Sequence, residues 1–324
     1  GAKAFREVAM SLRELLNTRY GVTTALAIAQ GTPRRLAHKI VEWAAVFFAR
    51  RRRTDLVKAV HLNQWVVSGK TLNAVELHRA TIEVFRNTGR SFYDFYHNLD
   101  RPKEVLRLVR LTPEFDKVLR ERERAKDGTM IVVPHLSNFD LAGRALALLG
   151  FRFQVLSYPV TPGGYKLQNK LRSEAGLEVT PMNIDAMRRA KKRLQDGGLV
   201  LTGMDRPMEE SNYPVRFFGQ LANLPVTYIR LALQAHCPVL PVVCQRAPDG
   251  YYYMHAAEPV EMQEYKDQQE TTVLNAERVV SLVEKFIRQT PRQWAMFYPV
   301  WPQFFPEVPR WGERQASPVV SEKA

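Results

Sequence analysis

The pattern of apolar and polar positions divides the chain into two parts at about residue 127. Before that point apolar residues recur three and four positions apart, which is typical of amphipathic helices. The predicted helices of this part include residues 5–16, 40–48, 54–67, 73–87, 91–99 and 113–123. We therefore interpret residues 1–127 as a helical N-terminal region that packs on the rest of the protein.

From residue 128 onward, short apolar runs alternate with helical segments. Strands are predicted at residues 130–133, 153–156, 199–201, 239–243 and 251–256, and helices at 138–149, 165–175, 184–196, 222–235 and 272–289. This alternation predicts an α/β fold with a mixed, mostly parallel central sheet flanked by helices. We assign residues 128–310 to this domain and expect the polar tail, 311–324, to be disordered.

The candidate chemistry lies where the first of these strands ends. His135 and Asp140, with four residues between them, follow the apolar run 129–134 and precede a predicted helix. Active sites of α/β proteins gather at the carboxyl ends of strands. Histidine accepts a proton near neutral pH, and a nearby carboxylate can orient it and stabilise its charged form. The spacing therefore predicts that His135 takes a proton from a hydroxyl group while Asp140 orients the ring.

The residues between this pair predict a helix start beside the histidine. Ser137 or Asn138 would cap the helix, which leaves backbone N–H groups that can bind a developing oxyanion. Ser137 as a nucleophile is a weaker interpretation, because a capping role already explains a serine there.

The charge of the chain points to an anionic partner. Lys and Arg number 47 against 33 Asp and Glu, a net charge of +14, and residues 1–127 account for +11 of it. Lipid headgroups and nucleic acids are both partners of such a surface. A nucleic-acid-binding protein is disfavoured, since the chain has no helix-turn-helix, zinc or aromatic RNA-binding motif.

An apolar and aromatic segment before a run of arginines favours the lipid partner. Membrane-surface contacts are predicted for Trp43, Phe47, Arg50, Arg51, Arg52 and Arg53. The alternative is a core helix followed by a solvated loop. No apolar stretch reaches the length of about 18 residues that a transmembrane helix needs, so we expect a peripheral protein. The two cysteines, Cys237 and Cys244, are expected to be buried free thiols, and no metal site or cofactor is expected.

Further blocks follow the His135–Asp140 motif in a characteristic order. They are Lys170–Leu177 with its R-x-x-x-G segment, Gly197–Arg206, Val215–Gly219, Pro238–Val242 and Pro291–Trp294. With these blocks the chain resembles, over roughly residues 55–300, the bacterial lipid A biosynthesis lauroyl and myristoyl acyltransferases of the lysophospholipid acyltransferase-like superfamily. It also resembles the phosphatidylinositol mannoside acyltransferases.

The resemblance implies transfer of a fatty acyl group from acyl-CoA or acyl carrier protein to a hydroxyl group of a membrane glycolipid or phospholipid. It implies His135 as the general base and Asn138, Arg172, Asp205 and Arg206 as oxyanion-stabilising or substrate-positioning residues. Asp205, at the end of a predicted strand, could hydrogen-bond near His135 or the acceptor; the alternative is a cap or turn residue before Pro207. Phe139, Phe217 and Phe218 are candidates for an acyl tunnel or for core packing.

The expected location is the cytoplasmic face of the bacterial inner membrane. Three alternatives remain open: a lysophospholipid or glycerolipid acyltransferase of the same superfamily, an inactive lipid-binding protein, and the disfavoured nucleic-acid-binding protein.

Overall fold

The computed structural model describes residues 19–159, 163–209 and 211–309. The expected disorder of the tail, 311–324, lies outside this range, as does the predicted helix over 5–16. The helices are α1 (Arg19–Gly31), α2 (Arg34–Ala49), α3 (Asp55–Val67), α4 (Ala74–His97), α5 (Pro102–Leu108), α6 (Pro113–Ala125), α7 (Phe139–Leu148), α8 (Gly163–Glu174), α9 (Ile184–Gln195), α10 (Thr227–Ala235) and α11 (Gln268–Gln289). The strands are β1 (Val109–Leu111), β2 (Thr129–Val133), β3 (Phe153–Ser157), β4 (Glu178–Pro181), β5 (Leu199–Gly203), β6 (Val215–Phe217), β7 (Gln220–Ala222), β8 (Val239–Arg246) and β9 (Tyr252–Ala256).

A seven-stranded, mostly parallel sheet forms the centre of the protein and confirms the predicted fold class. Its strand order is β1-β9-β8-β2-β5-β3-β4, so that β2 lies in the interior of the sheet between β5 and β8. The pairs on either side of β2 are parallel, whereas β8 and β9 are antiparallel. A strand paired on both sides and covered on both faces reads as a continuous apolar run, which is why β2 was predictable.

The helical N-terminal region is confirmed, but it also contains α1 and α5, which were not predicted, and two further details differ from the prediction. The break expected after residue 87 is absent, because α4 continues through Gly89. A Cβ at Gly89 would lie 2.8 Å from the side chain of Val41, so this glycine lets α2 approach α4 closely. The region also contributes a short strand, β1, which pairs with β9 at the edge of the sheet.

The small hairpin β6–β7 was also missed, and it delays the start of α10. Its turn is made by Phe218 and Gly219, both with positive φ, as two-residue hairpin turns require. The helix predicted from residue 222 therefore begins only at Thr227.

Two large clusters of buried apolar side chains cover the sheet. One includes residues of α9, α10 and α11 and the tryptophans Trp294 and Trp301. The other includes residues of α4, α6 and α7. The N-terminal helices therefore share a core with the sheet. Among the described residues, none of the helices combines the length and the apolar character that crossing a membrane requires.

Candidate active site

The register of β2 and β5 brings the candidate base together with a carboxylate. Val133 and Gly203 pair at the ends of these parallel strands. His135 and Asp205 each lie two residues further on, so both reach the same edge of the sheet. The Nδ1 atom of His135 lies 2.6 Å from Oδ1 of Asp205.

Asp205 is fully buried and fixes the orientation of the imidazole. Its Oδ2 accepts a hydrogen bond from the backbone N–H of His135 at 2.8 Å and another from the indole N–H of Trp294 at 2.7 Å. Because a carboxylate accepts at Nδ1, we assign the ring proton of neutral His135 to that atom. Nε2 then carries the lone pair, and it has no hydrogen-bond partner among the described residues. The arrangement makes Nε2 the basic atom of the site.

The structure corrects the predicted pairing of His135 with Asp140. The Asp140 carboxylate instead accepts two hydrogen bonds from Arg172, at 2.7 Å from Nε and 3.1 Å from Nη2. Arg172 also donates to Asn169 at 2.9 Å. The physical reason is the position of Asp140 in the first turn of α7, opposite α8, whereas Asp205 reaches Nδ1 from the neighbouring strand. The two-point ion pair joins α7 to α8 beside the base.

Asn138 caps α7, which decides between Ser137 and Asn138, the two caps that the sequence predicted. Its side-chain oxygen accepts from the backbone N–H of Leu141 at 3.2 Å, and its amide nitrogen donates to the carbonyl of Ser91 at 2.9 Å. The amide of Asn138 therefore has structural partners of its own. The backbone N–H groups of Phe139 and Asp140, at the helix N-terminus, have no hydrogen-bond partner among the described residues. These two groups can bind an oxyanion.

Ser137 occupies the sharp turn between the base and α7. Its φ is 55°, in the left-handed region that non-glycine residues rarely adopt. Its backbone N–H donates to the carbonyl of Gln293 at 2.8 Å. Such a backbone conformation costs roughly 1–3 kcal/mol and is retained mostly at functional sites.

An apolar cavity of about 760 Å³ borders His135. Its size lies within the usual range for ligand sites. Phe139 contacts the imidazole edge-on, with 5.2 Å between ring centroids, and also lines the cavity. Residues of α7 form part of the cavity wall, as do residues of the N-terminal helices: Ala142, Gly143 and Leu146 from the former, and Phe48, Phe85 and Phe92 from the latter. The N-terminal region therefore builds part of the site.

Arg206 lines the same cavity between two aromatic rings. Its guanidinium carbon lies 4.0 Å from the ring centre of Tyr158 and 4.2 Å from that of Tyr298. Stacking of this kind holds a guanidinium in place and leaves its N–H edge available for an anion.

Phe217 and Phe218 do not line the cavity. Both are buried and pack against Trp294 and Trp301, with centroid distances between 4.7 and 6.4 Å within the group. Of the two readings predicted for these phenylalanines, the structure supports core packing.

The thiol of Cys244 lines the cavity but is a poor nucleophile. Burial, opposed only in part by the backbone N–H of Asn138, raises its pKa to about 12, so it stays protonated at neutral pH. Within the described ranges, no group of three or more His, Cys, Asp or Glu residues is arranged to hold a metal ion.

A model of the bacterial lipid A biosynthesis acyltransferases matches residues 9–303, nearly the whole chain. The chain belongs to this family.

Individual relatives are more distant. A phosphatidylinositol mannoside acyltransferase of Mycobacterium tuberculosis (strain ATCC 25618 / H37Rv) is 24% identical over 181 residues, which are 54% of each chain. A protein of the same name from Mycolicibacterium smegmatis is 26% identical over 128 residues, 38% of this chain and 42% of the relative. The chain thus spans about half the length of the curated relatives that it matches.

The outer face of α2 carries a stripe of exposed apolar side chains. Leu36, Ile40, Trp43 and Phe47 are 53%, 40%, 69% and 39% exposed. Their spacing of three or four residues places them on one side of the helix. The predicted arginines follow at its end: Arg50, Arg51 and Arg53 are exposed, Arg52 is half-buried, and Arg51 stacks on Phe47 at 3.9 Å. We call the four apolar residues and these arginines the α2 surface.

Sequence reasoning overlooked Trp294 as part of the site. The segment around it lies beside the base, since the backbone N–H of Ala295 donates to the carbonyl of His135 at 2.8 Å and Leu136 pairs with Trp294. The only sequence signal was its place in Pro291–Trp294, the last of the blocks that carry the family resemblance, and this block has no chemistry of its own.

Proposed function

We propose that this member of the family transfers a fatty acyl group from an acyl thioester to a hydroxyl group of a membrane glycolipid. The observation that carries the proposal is His135, which is held at Nδ1 by a buried carboxylate and lines an apolar cavity. Family membership and the similarity to mycobacterial phosphatidylinositol mannoside acyltransferases support the reaction class and a glycolipid acceptor. A lysophospholipid acceptor is the alternative within the same chemistry.

The geometry is suited to direct transfer without a covalent enzyme intermediate. Nε2 of His135 takes the proton of the acceptor hydroxyl while the hydroxyl oxygen attacks the carbonyl carbon of the thioester. The resulting oxyanion accepts hydrogen bonds from the backbone N–H groups of Phe139 and Asp140. The carbon–sulfur bond then breaks, and the proton on Nε2 passes to the leaving thiolate. Asp205 orients the ring and stabilises its charged form throughout.

The cavity and Arg206 are proposed to bind different parts of the substrates, the apolar chain and an anionic group. The cavity is proposed to hold the fatty acyl chain, because its walls are mainly apolar. Arg206 is proposed to bind a phosphate of donor or acceptor at the cavity, since its guanidinium forms no ion pair among the described residues. Both acyl-CoA and acyl carrier protein are anionic donors, so the charge of the protein suits either one.

We also propose that the α2 surface binds the cytoplasmic face of the bacterial inner membrane. Exposed Trp43 and Phe47 would enter the interface, and the arginines after them would contact anionic headgroups. This helix contributes Ala44 and Phe48 to the cavity wall from the side facing the protein. A membrane contact at α2 would therefore place the cavity close to its lipid substrates.

The test is acyl transfer by purified protein to a bacterial membrane lipid extract. Acyl-CoA and acyl carrier protein, each loaded with a labelled acyl group, would be supplied in separate reactions. The acylated product would be identified by mass spectrometry. The wild type should transfer from at least one donor, and His135→Ala should lose about 10²–10⁴-fold in rate with an unchanged circular dichroism spectrum. Equal product from both proteins, or none from the wild type with either donor, would refute the proposal.

A further inference from the structure

Ser137 is a buried hydroxyl group without a partner beside the proposed base. The residue is only 6% exposed, and its Oγ forms no hydrogen bond among the described residues. It lines the same cavity as His135. Buried hydroxyl groups are nearly always hydrogen-bonded, so an exception at a cavity calls for an explanation.

The backbone makes the presence of a serine at this position more unusual. With a φ of 55°, the position favours glycine, which adopts the left-handed region without a steric penalty. The turn is imposed by its neighbours, because the Ser137 N–H is bound to Gln293 and Leu136 pairs with Trp294. A glycine would satisfy this turn and leave no buried polar atom. The side chain of Ser137 therefore serves something other than the fold.

The two roles expected from the sequence do not account for it. The capping role belongs to Asn138, whose side chain accepts from Leu141. A serine nucleophile needs its base within hydrogen-bond reach, and Ser137 Oγ has no hydrogen bond to His135.

We propose that the Ser137 hydroxyl donates a hydrogen bond to the oxyanion that forms on the thioester carbonyl. This inference rests on the proposed acyl transfer. The position suits it, because Ser137 lies between the base and the free N–H groups of Phe139 and Asp140 at the start of α7. A hydroxyl donor that is bound to no protein group can form this bond without first breaking another. Ser137 is thus a third donor of the oxyanion site and acts on the transition state more than on substrate binding.

Two variants separate the hydroxyl from the backbone. Ser137→Ala removes the hydroxyl and keeps the Cβ in the left-handed region, whereas Ser137→Gly removes the hydroxyl and relieves the backbone. Both should lose about 10²-fold in kcat, the usual effect of deleting one oxyanion donor, with little change in KM for the acyl donor. Ser137→Gly should at the same time have a Tm equal to or above that of the wild type.

The assay uses labelled acyl-CoA or acyl carrier protein, whichever the wild type accepts, with the membrane lipid extract as acceptor. The His135→Ala comparison comes first and tests the proposed function separately; a wild type that transfers nothing would overturn both proposals. If transfer depends on His135 but Ser137→Ala and Ser137→Gly match the wild type, the role of Ser137 alone is refuted. If Ser137→Gly is active and Ser137→Ala is impaired, in the same order as their Tm values, Ser137 has a structural role and the inference is refuted. An acyl adduct on Ser137, detected by intact mass, would identify a nucleophile and also overturn the inference.

Discussion

Two regions of the molecule differ in how firmly they hold their side chains: the sheet edge where β2 and β5 end, and the α2 surface. At the sheet edge Asp205 is 0% exposed and accepts three hydrogen bonds, whereas Trp43 on α2 is 69% exposed. Burial and multiple hydrogen bonds hold a group in a single geometry, which proton transfer requires. Exposed apolar side chains contribute little to the fold and remain available to another surface. Substitutions at the sheet edge should therefore change the rate of acyl transfer and the stability of the fold. Substitutions on the α2 surface should change only the binding to lipid vesicles.

The largest effect is expected for Asp205→Asn. The single amide oxygen would stay with the N–H groups of Trp294 and the His135 backbone, so the NH2 group would face Nδ1 and hold the ring of His135 in the wrong tautomer. By analogy with the Ser-His-Asp triads of hydrolases, kcat should fall about 10³–10⁴-fold. Initial rates of labelled acyl transfer measure this, with circular dichroism as the control for folding.

Asp140→Asn is the matched control, because it makes the same chemical change in a carboxylate that does not contact Nδ1. It should lose less kcat than Asp205→Asn. A larger loss of kcat in Asp140→Asn than in Asp205→Asn, measured at a temperature where both variants are folded, would restore the pairing that the spacing of the motif predicted.

The ion pair between Asp140 and Arg172 should act on stability. Their side chains are only 14% and 13% exposed, so removing one partner leaves a largely buried charge. Asp140→Asn and Arg172→Gln should each lower the free energy of unfolding by roughly 2–3 kcal/mol. Denaturant unfolding of the single and double variants would show a double loss smaller than the sum. Additive losses would mean that the two side chains do not interact in solution.

On α2, Trp43→Ser and Phe47→Ser should weaken binding to lipid vesicles and leave Tm unchanged. Withdrawing one large apolar side chain from a lipid interface should reduce vesicle affinity about tenfold. Sedimentation with vesicles measures the bound fraction. Leu106→Ser, at a leucine that is 41% exposed on α5, is the matched control and should bind like the wild type.

The lipid charge sharpens the same experiment. Arg53→Gln should weaken binding to anionic vesicles about fivefold, since one basic residue contributes about 1 kcal/mol, and should not affect binding to neutral vesicles. If Trp43→Ser and Leu106→Ser bind alike, the α2 surface does not contact the membrane.

The smallest effect concerns the pH dependence of stability in the N-terminal region. Burial, together with the positive charges of His78 and Arg52, lowers the pKa of His61 to about 4. Below the ordinary histidine pKa of about 6.5, the unfolded chain binds a proton that the folded chain excludes, so stability is lost as the pH falls. Between about pH 7 and 5.5 this residue should cost about 1 kcal/mol of unfolding free energy. Urea unfolding of His61→Gln should show a shallower decline than the wild type; identical slopes would contradict the shift.

Local patterns were sufficient for most of the fold. Apolar strands paired on both sides, such as β2 and β8, form continuous runs, and long amphipathic helices such as α11 show their period directly. The missed strands, β1, β4 and the hairpin β6–β7, are three or four residues long. So few positions show no periodicity, and their pairing depends on distant strands. Gly89 was misleading because its role, the close approach of α2, is a tertiary contact.

For the candidate site, neighbouring residues along the chain were enough to predict His135 as a candidate base, the strand end that carries it and a helix cap at Ser137 or Asn138. The tertiary structure alone decided which carboxylate holds the base. Asp205 and Trp294 lie 70 and 159 positions away from His135, and only strand register and the return of the chain near Ala295 bring them into contact. The tertiary structure likewise decided that Ser137 is buried, with no side-chain hydrogen bond to any residue the structure describes, and that Trp43 is exposed. Burial depends on what packs against a residue and not on its neighbours along the chain.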